Sequence, residues 1–370
     1  MNSTEEILLI AKTEKIKLWN CFSGSPVKVS KSLEKYQKHK LNALIFLSLE
    51  KPIHLCNFFR TLFFRLQKII NNPSYKQFTI SKKKGGNREI FAPSNELKKI
   101  QKRLNYFLQA YYLCIKPKEV HGFVINPHYL GTYCNIVENA KVHTCKKFVL
   151  NVDLKDFFPS ISAKQVKEIF ASPLFNFNEQ ISTALALLTT FKGTLPIGAP
   201  TSPVISNFIC KQLDTDIIQF SKKNFLAYTR YADDLTFSSN YPISDDTVLD
   251  IVNLIQKNNF KINEKKLRLR TANRKQTVTG ITVNEKVNVD RKLLKKIRAM
   301  LHDLKTNGID MATQRHFNIK GEIDTKFKGF FIHRLEGYIN FVGQVRGKTD
   351  SLYIKLKTAF DSIFNIPQIV

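Results

Sequence analysis

The stretch Leu226-Ala-Tyr-Thr-Arg-Tyr231-Ala-Asp233-Asp234-Leu-Thr-Phe-Ser238 reads as two short β-runs closing on an acidic turn. Leu226–Tyr231 and Leu235–Ser238 carry aromatic and β-branched residues, and Ala232-Asp233-Asp234 between them is short enough to close a hairpin. A second strand-like run lies upstream in Phe148-Val-Leu-Asn-Val-Asp153-Leu154. Phe148, Leu150, Val152 and Leu154 alternate on one face, which puts Asp153 on the other with Val149 and Asn151. One strand-borne aspartate facing two adjacent aspartates in a hairpin is a chemical set. Two divalent ions about 3.5–4 Å apart can activate an attacking hydroxyl and hold a departing phosphate oxygen. Mg²⁺ takes hard oxygen ligands, keeps several waters and needs few carboxylates. Asp153, Asp233 and Asp234 suit that chemistry, the joining of a nucleotide to a growing strand. The competing reading is an ordinary solvated turn. A Tyr-x-Asp-Asp quartet arises by chance in roughly one chain in twenty of this length, so its surroundings must decide.

Those surroundings are basic and apolar together. The 370 residues carry 58 Lys+Arg against 30 Asp+Glu, a net charge of +28, which calls for a polyanionic partner. A hydrophobic share of 43% with 29 Phe argues for a folded core rather than a disordered tail. A membrane is the weaker partner, because the apolar run Leu41–Leu49 is interrupted by Lys51, His54 and Arg60. The opening Met1-Asn-Ser-Thr-Glu-Glu lacks the basic head of a secretory signal, so a cytoplasmic protein is expected. Six scattered cysteines form no C-x-x-C pair, and Cys134, His143 and Cys145 match no common zinc spacing.

Residues 1–72 read as a basic helical N-terminal segment ended by Asn71-Asn72-Pro73-Ser74. Two strand-like runs flank Gly85-Gly86 as a hairpin, and a helix is expected through Leu97, Ile100, Leu104 and Leu108. Further helices are expected around Ala163–Ala171 and Glu179–Thr190, then one through Ile205, Ile209 and Leu213 after the loop from Gly193 to Pro203. From Asp290 onward the pattern is helical and rich in Lys and Arg. No internal repeat or low-complexity tract is evident.

Taken in order, these blocks resemble the reverse transcriptase family over about residues 75–345. Lys82-Lys83-Lys84-Gly-Gly-Asn-Arg88 is similar to its fingers hairpin, and Asn151-Val-Asp153-Leu-Lys-Asp-Phe-Phe158-Pro-Ser to its first palm motif. Leu195-Pro-Ile-Gly198-Ala-Pro-Thr-Ser202-Pro203 with Asn207 resembles the second, Tyr231-Ala-Asp233-Asp234 the third, and Phe260-Lys-Ile-Asn263-Glu-Lys-Lys266 the fourth. Asn139-Ala140-Lys-Val-His143 and Val278-Thr279-Gly280 resemble two short elements of bacterial retron enzymes.

The resemblance implies an α+β right-hand polymerase with fingers, palm and thumb. The expected division is 1–72 for the N-terminal segment, 73–289 for fingers and palm, and 290–370 for the thumb and C-terminal helices. It implies an RNA-directed DNA polymerase that copies part of a cognate structured non-coding RNA, starting from the 2′-hydroxyl of a guanosine and leaving a branched RNA–DNA. Two Mg²⁺ ions, with Mn²⁺ as a substitute, would be held by Asp153, Asp233, Asp234 and the backbone carbonyl of Leu154. Lys84 and Arg88 would contact the incoming deoxynucleoside triphosphate, Arg through its fixed fork of donors. Phe158 resembles the gate that excludes a 2′-hydroxyl, and Gly198, with Pro200 and Ser202, shapes the nucleotide loop. Lys266 resembles a proton donor to pyrophosphate, and Tyr231 supports the primer end or packs. Ile197 departs from the family, many members of which carry Gln there.

Asn139, Ala140, His143, Val278, Thr279 and Gly280 would recognise the RNA, with the basic thumb gripping its backbone. By the same resemblance the partners are that RNA and its DNA copy, deoxynucleotides and a separate effector protein in anti-phage defence, with no membrane. Alternatives are an abortive-infection or group II intron enzyme, and a catalytically idle RNA-binding scaffold. The short thumb and the lack of an endonuclease or maturase tail speak against the intron type, and the intact carboxylates against the scaffold.

Overall fold

The computed structural model describes residues 3–13, 37–81, 85–126, 133–319 and 321–364. Lys84 lies outside them. In chain order the helices are α1 (Ser3–Thr13), α2 (Lys38–Leu47), α3 (Pro52–Phe59), α4 (Phe63–Asn71), α5 (Asn95–Ile115), α6 (Ile136–Lys141) and α7 (Ala163–Ala171). They continue with α8 (Glu179–Thr189), α9 (Ser202–Ile209), α10 (Lys211–Lys223), α11 (Asp245–Lys257), α12 (Arg291–Phe317), α13 (Thr325–Arg346) and α14 (Ser351–Ile363). The strands are β1 (Tyr75–Ser81), β2 (Asn87–Pro93), β3 (Phe148–Asp153), β4 (Ala227–Tyr231), β5 (Asp234–Ser239), β6 (Arg268–Thr271), β7 (Thr277–Val278) and β8 (Ile281–Thr282).

Strands β4, β5, β3 and β6 form a four-stranded sheet in that order, and β1–β2 is a separate antiparallel hairpin. The α+β architecture and both expected hairpins are therefore present. Two differences from the sequence reading have physical causes. The single helix expected through Ile205 and Leu213 is broken at Cys210, whose ψ of −4° flattens one turn between α9 and α10. The face of β3 that Asp153 shares with Val149 is also covered, which alternation alone does not give. Val149 is 0% exposed because it joins an apolar core of its own.

The chain divides into two compact units, Met1–Cys134 with Val152–Leu235 and Ser244–Leu267, and Asn135–Asn151 with Thr236–Ile243 and Arg268–Val370. The first is built on aromatic packing. Phe46 of α2 and Phe58 of α3 meet with ring centroids 5.7 Å apart, and Phe46 meets Phe177 edge-on at 5.3 Å. Phe175 lies 4.8 Å from Phe208 of α9 and 5.2 Å from Tyr111 of α5. The N-terminal helices thus share one core with α5 and α9, and each ring pair adds about 0.5–1.5 kcal/mol beyond the area it buries.

In the second unit Ile297, Met300, Phe331, Leu335, Ile339, Val342 and Phe360 of α12–α14 pack with Val137, Val149, Val278 and Ile281. Asp290, Asp324 and Asp350 cap the three helices by accepting from the amides of Lys292, Lys326 and Leu352. Each cap contributes about 0.5–2 kcal/mol. Gly308, at φ 75°, interrupts α12. No helix among the described residues is long and apolar enough to cross a membrane.

Candidate active site

The site lies in the first unit, where β3 ends beside the β4–β5 turn. Its backbone is fixed before any side chain acts. The Leu154 amide donates to the Asp233 carbonyl at 3.0 Å, and the Asn263 amide donates to the Asp153 carbonyl at 2.7 Å. Lys155 donates to the Lys261 carbonyl at 2.7 Å, so the segment before the helical turn Glu264–Lys266 is bonded to the same strand end. Three sequence blocks are thereby held together, bringing Asp153, Asp233, Asp234 and Lys266 into one cluster.

The electrostatics follow from crowding. Burial, then the charges of Asp233 and Asp153, push the Asp234 carboxyl up to about 7. Burial also raises Asp233, with Asp153 adding to it. Lys266 donates to Asp153 Oδ1 at 2.6 Å. Burial pulls that lysine down, but the bond to Asp153 and the three carboxylate charges outweigh it and hold it above its ordinary value. Carboxylates crowded in this way are relieved by a cation, and their all-oxygen chemistry suits a hard divalent ion. Among the described residues no group of three or more His, Cys, Asp or Glu stands as a finished metal cage. The Lys266 ammonium occupies part of that electrostatic role at Asp153.

The other expected residues fall as follows. Arg88 is on β2, exposed, and its charge reaches Asp233, lowering that carboxyl's pKa against the effect of burial. The amide of Phe91 on β2 donates to the Ile197 carbonyl at 2.7 Å. Gly198, at φ +114°, leaves room there, because a Cβ would lie 2.9 Å from Ile90 Cγ2 and 3.0 Å from the Phe91 oxygen. Ile197 thus ties the loop to β2 by its backbone, whatever its side chain. Phe158 is half-buried, with its ring 5.7 Å from Phe123 and 5.4 Å from Phe157. Phe157 is 5% exposed and packs on Phe260, which leaves Phe158 the more exposed of the two rings.

Asn139, Ala140, His143, Val278, Thr279 and Gly280 come together in the second unit. Asn139, Ala140, His143 and Val278 are buried. His143 Nδ1 lies 2.7 Å from Ser238 Oγ, and Thr279 Oγ1 donates to the Ile136 carbonyl at 3.3 Å. Thr279 and Gly280 have φ of 47° and 84°, the two positive angles of a two-residue hairpin turn joining β7 and β8. Glycine serves the second of them without strain. Neither amide atom of Asn139 has a partner among the described residues.

Sequence reasoning missed Gly122 and Arg230. A Cβ on Gly122 would sit 2.2 Å from the Ala232 nitrogen, so the turn between β4 and β5 is packed directly on bare backbone. Arg230 is 0% exposed. Its signal was present, since a charged residue two positions before the turn, in phase with Leu226 and Tyr228, has to find a buried counter-ion.

Comparison with known proteins gives the family. Residues 80–283 match the family described as reverse transcriptase (RNA-dependent DNA polymerase). The retron Ec86 reverse transcriptase of Escherichia coli is 34% identical over 236 residues, covering 62% of this chain and 70% of that enzyme. The retron Ec73 reverse transcriptase of the same organism is 34% identical, over 67% of this chain and 81% of the relative. The retron Mx65 reverse transcriptase of Myxococcus xanthus is 32% identical over 62% of this chain, and the match spans only 55% of that enzyme's length.

Proposed function

Since the chain belongs to the reverse transcriptase family, among the retron enzymes of bacteria, we propose that it copies part of a cognate structured RNA into DNA, leaving a branched RNA–DNA product. The observation that carries this is the convergence of Asp153, Asp233 and Asp234 on one pinned backbone junction beside Lys266. Two Mg²⁺ ions, bound by the three aspartates and the Leu154 carbonyl, would supply activation of the attacking hydroxyl and neutralisation of the leaving oxygens. Arg88, with Lys84, binds the triphosphate of the deoxynucleotide. Lys266, held protonated by its carboxylate neighbours, gives its proton to departing pyrophosphate. Gly198 keeps the nucleotide loop against β2. Synthesis begins at a guanosine 2′-hydroxyl of the RNA, and the product acts in phage defence with a separate effector protein. Nucleic acid that co-purifies with the protein should contain DNA joined to RNA through a 2′–5′ bond. Only linear RNA, or none, would contradict the branched-product reading.

Phe158 sets sugar choice by volume, its half-buried ring lying under the ribose, since a ring excludes a hydroxyl without needing a hydrogen bond. Phe158→Ala should raise ribonucleotide incorporation relative to deoxynucleotide by about 10-fold or more, as one lost steric contact is worth roughly 1–3 kcal/mol. Competition assays with unchanged discrimination would move the gate elsewhere.

The cognate RNA is recognised at the second unit, where Thr279 and Gly280 form the turn between β7 and β8 and Asn139, Ala140, His143 and Val278 set its position from beneath. An unmatched buried amide costs about 1–3 kcal/mol, and Asn139 bears that cost beneath the turn, where it is 1% exposed. Asn139→Ala with His143→Ala should suppress primer-free synthesis on the native RNA while an annealed DNA primer on a generic template is still extended. If both activities fall together, the residues serve the fold rather than recognition.

A further inference from the structure

One strand behind the catalytic aspartates lies a buried charged network that the chemistry does not use. Arg230 Nε and Nη2 donate to the two oxygens of Asp214 on α10, at 2.8 and 2.6 Å. Both side chains are 0% exposed. Tyr228 donates its hydroxyl to Asp214 Oδ1 at 2.9 Å, so the carboxylate accepts three hydrogen bonds. The remaining arm of Arg230, Nη1, donates to Asn207 Oδ1 at 3.0 Å and to the Ala232 carbonyl at 3.1 Å. Asn207 in turn donates from Nδ2 to the Gly122 carbonyl at 3.0 Å.

Two features make this more than a fold-stabilising pair. First, it grips the catalytic turn where that turn is strained. Ala232 has φ +60°, a left-handed conformation that a residue with a Cβ holds only when its surroundings over-determine it. Arg230 fixes its carbonyl, while Gly122 fixes its amide side, where no Cβ fits. Second, a buried ion pair is a poor source of stability, because desolvation offsets its attraction and apolar replacements are often neutral or better. A fork of donors that spans a carboxylate, an amide oxygen and a backbone carbonyl is instead suited to fixing geometry.

We propose that Arg230, seated by Asp214 and Asn207, is a positioning residue that sets the Ala232-Asp233-Asp234 turn for metal binding and, through Asn207 and Gly122, sets Phe123 against Phe158. The proposal rests on the reading of Asp153, Asp233 and Asp234 as metal ligands and of Phe158 as the sugar gate. It predicts that one network governs two properties, affinity for the metal and discrimination between sugars. Arg230 acts through the Ala232 carbonyl and through the side-chain amide of Asn207.

The experiment uses the full chain and two variants. Asp214→Leu with Arg230→Met removes both charges and leaves apolar groups, so no uncompensated charge is buried. Arg230→Lys keeps the ion pair, but one ammonium cannot also span Asn207 and the Ala232 carbonyl. Melting temperature, Mn²⁺ affinity by electron paramagnetic resonance, and ribonucleotide discrimination are measured on each. Both variants should melt close to the parent, bind Mn²⁺ about 10- to 100-fold more weakly, the range seen when groups behind metal ligands are altered, and discriminate less between sugars. Variants that melt, bind Mn²⁺ and discriminate like the parent overturn the proposal. So does a double variant that fails to fold beside an Arg230→Lys protein with parental metal affinity and sugar choice, since the pair is then structural only. A parent that binds Mn²⁺ but copies no RNA would defeat the proposed function and leave the metal arm of this test readable.

Discussion

Asp233→Asn and Asp234→Asn should each lower RNA-templated DNA synthesis by roughly 10³-fold or more while leaving RNA binding nearly unchanged. Each substitution keeps the shape of the turn and removes one unit of charge from the cluster that faces Asp153 and Lys266. Charge neutralisation by metal ions is worth several kcal/mol in such a transfer, and each 1.36 kcal/mol is about tenfold in rate. The check is extension of a labelled primer beside filter binding of the RNA. Asp234 also defines a pH effect on stability. Its folded pKa, near 7, lies above the ordinary carboxylate range, so its protonated form stabilises the metal-free fold. That contribution is present at low pH and declines as pH rises toward and through 7, and the asparagine variant should lack this decline. Full synthesis in either variant would remove Asp233 and Asp234 from the chemistry.

Gly122→Ala should be nearly as damaging although residue 122 carries no functional group. The new methyl carbon would lie 2.2 Å from the Ala232 nitrogen and 2.8 Å from the Tyr231 carbonyl carbon, both backbone atoms with no rotamer to yield. The turn must move, and displacement of a reacting group by about 1 Å can cost on the order of 10²-fold. Overpacking of this kind also lowers stability by about 1–3 kcal/mol. Extension rate and melting temperature measured together separate the two effects. A variant that melts lower yet extends at the parental rate would show that the turn tolerates the shift.

The parts of this molecule legible in its sequence were those governed by local pattern. The hairpin of β4 and β5, strand β3, the Gly85-Gly86 hairpin and the helices from Asp290 onward all follow from residue alternation, turn residues and caps. That Asp153 ends a strand and Asp233 and Asp234 stand at a turn was legible from the same alternation. What pattern could not supply were pairings between distant segments. The bond from Asn207 to Gly122 spans 85 positions, and nothing at either end names the other. Arg230 announced a buried partner without identifying Asp214. The break at Cys210 has no Pro or Gly to mark it, and apolar spacing in residues 41–70 indicated burial but not that Phe46 and Phe58 would share a core with Phe107, Phe175 and Phe177. Asn139 and His143 were read as facing RNA from their motif alone, and their burial depends on the packing of α6 against β7 and β8.

The central claim is that this site joins deoxynucleotides on an RNA template. It is tested most directly by incubating the purified full chain with a labelled primer annealed to a defined RNA, the four deoxynucleotides and Mg²⁺. The expected product is DNA whose sequence complements the RNA, abolished by a chelator and absent with Asp233→Asn. Purified protein that binds the RNA and Mg²⁺ but yields no template-complementary DNA would contradict the account and favour an RNA-binding scaffold.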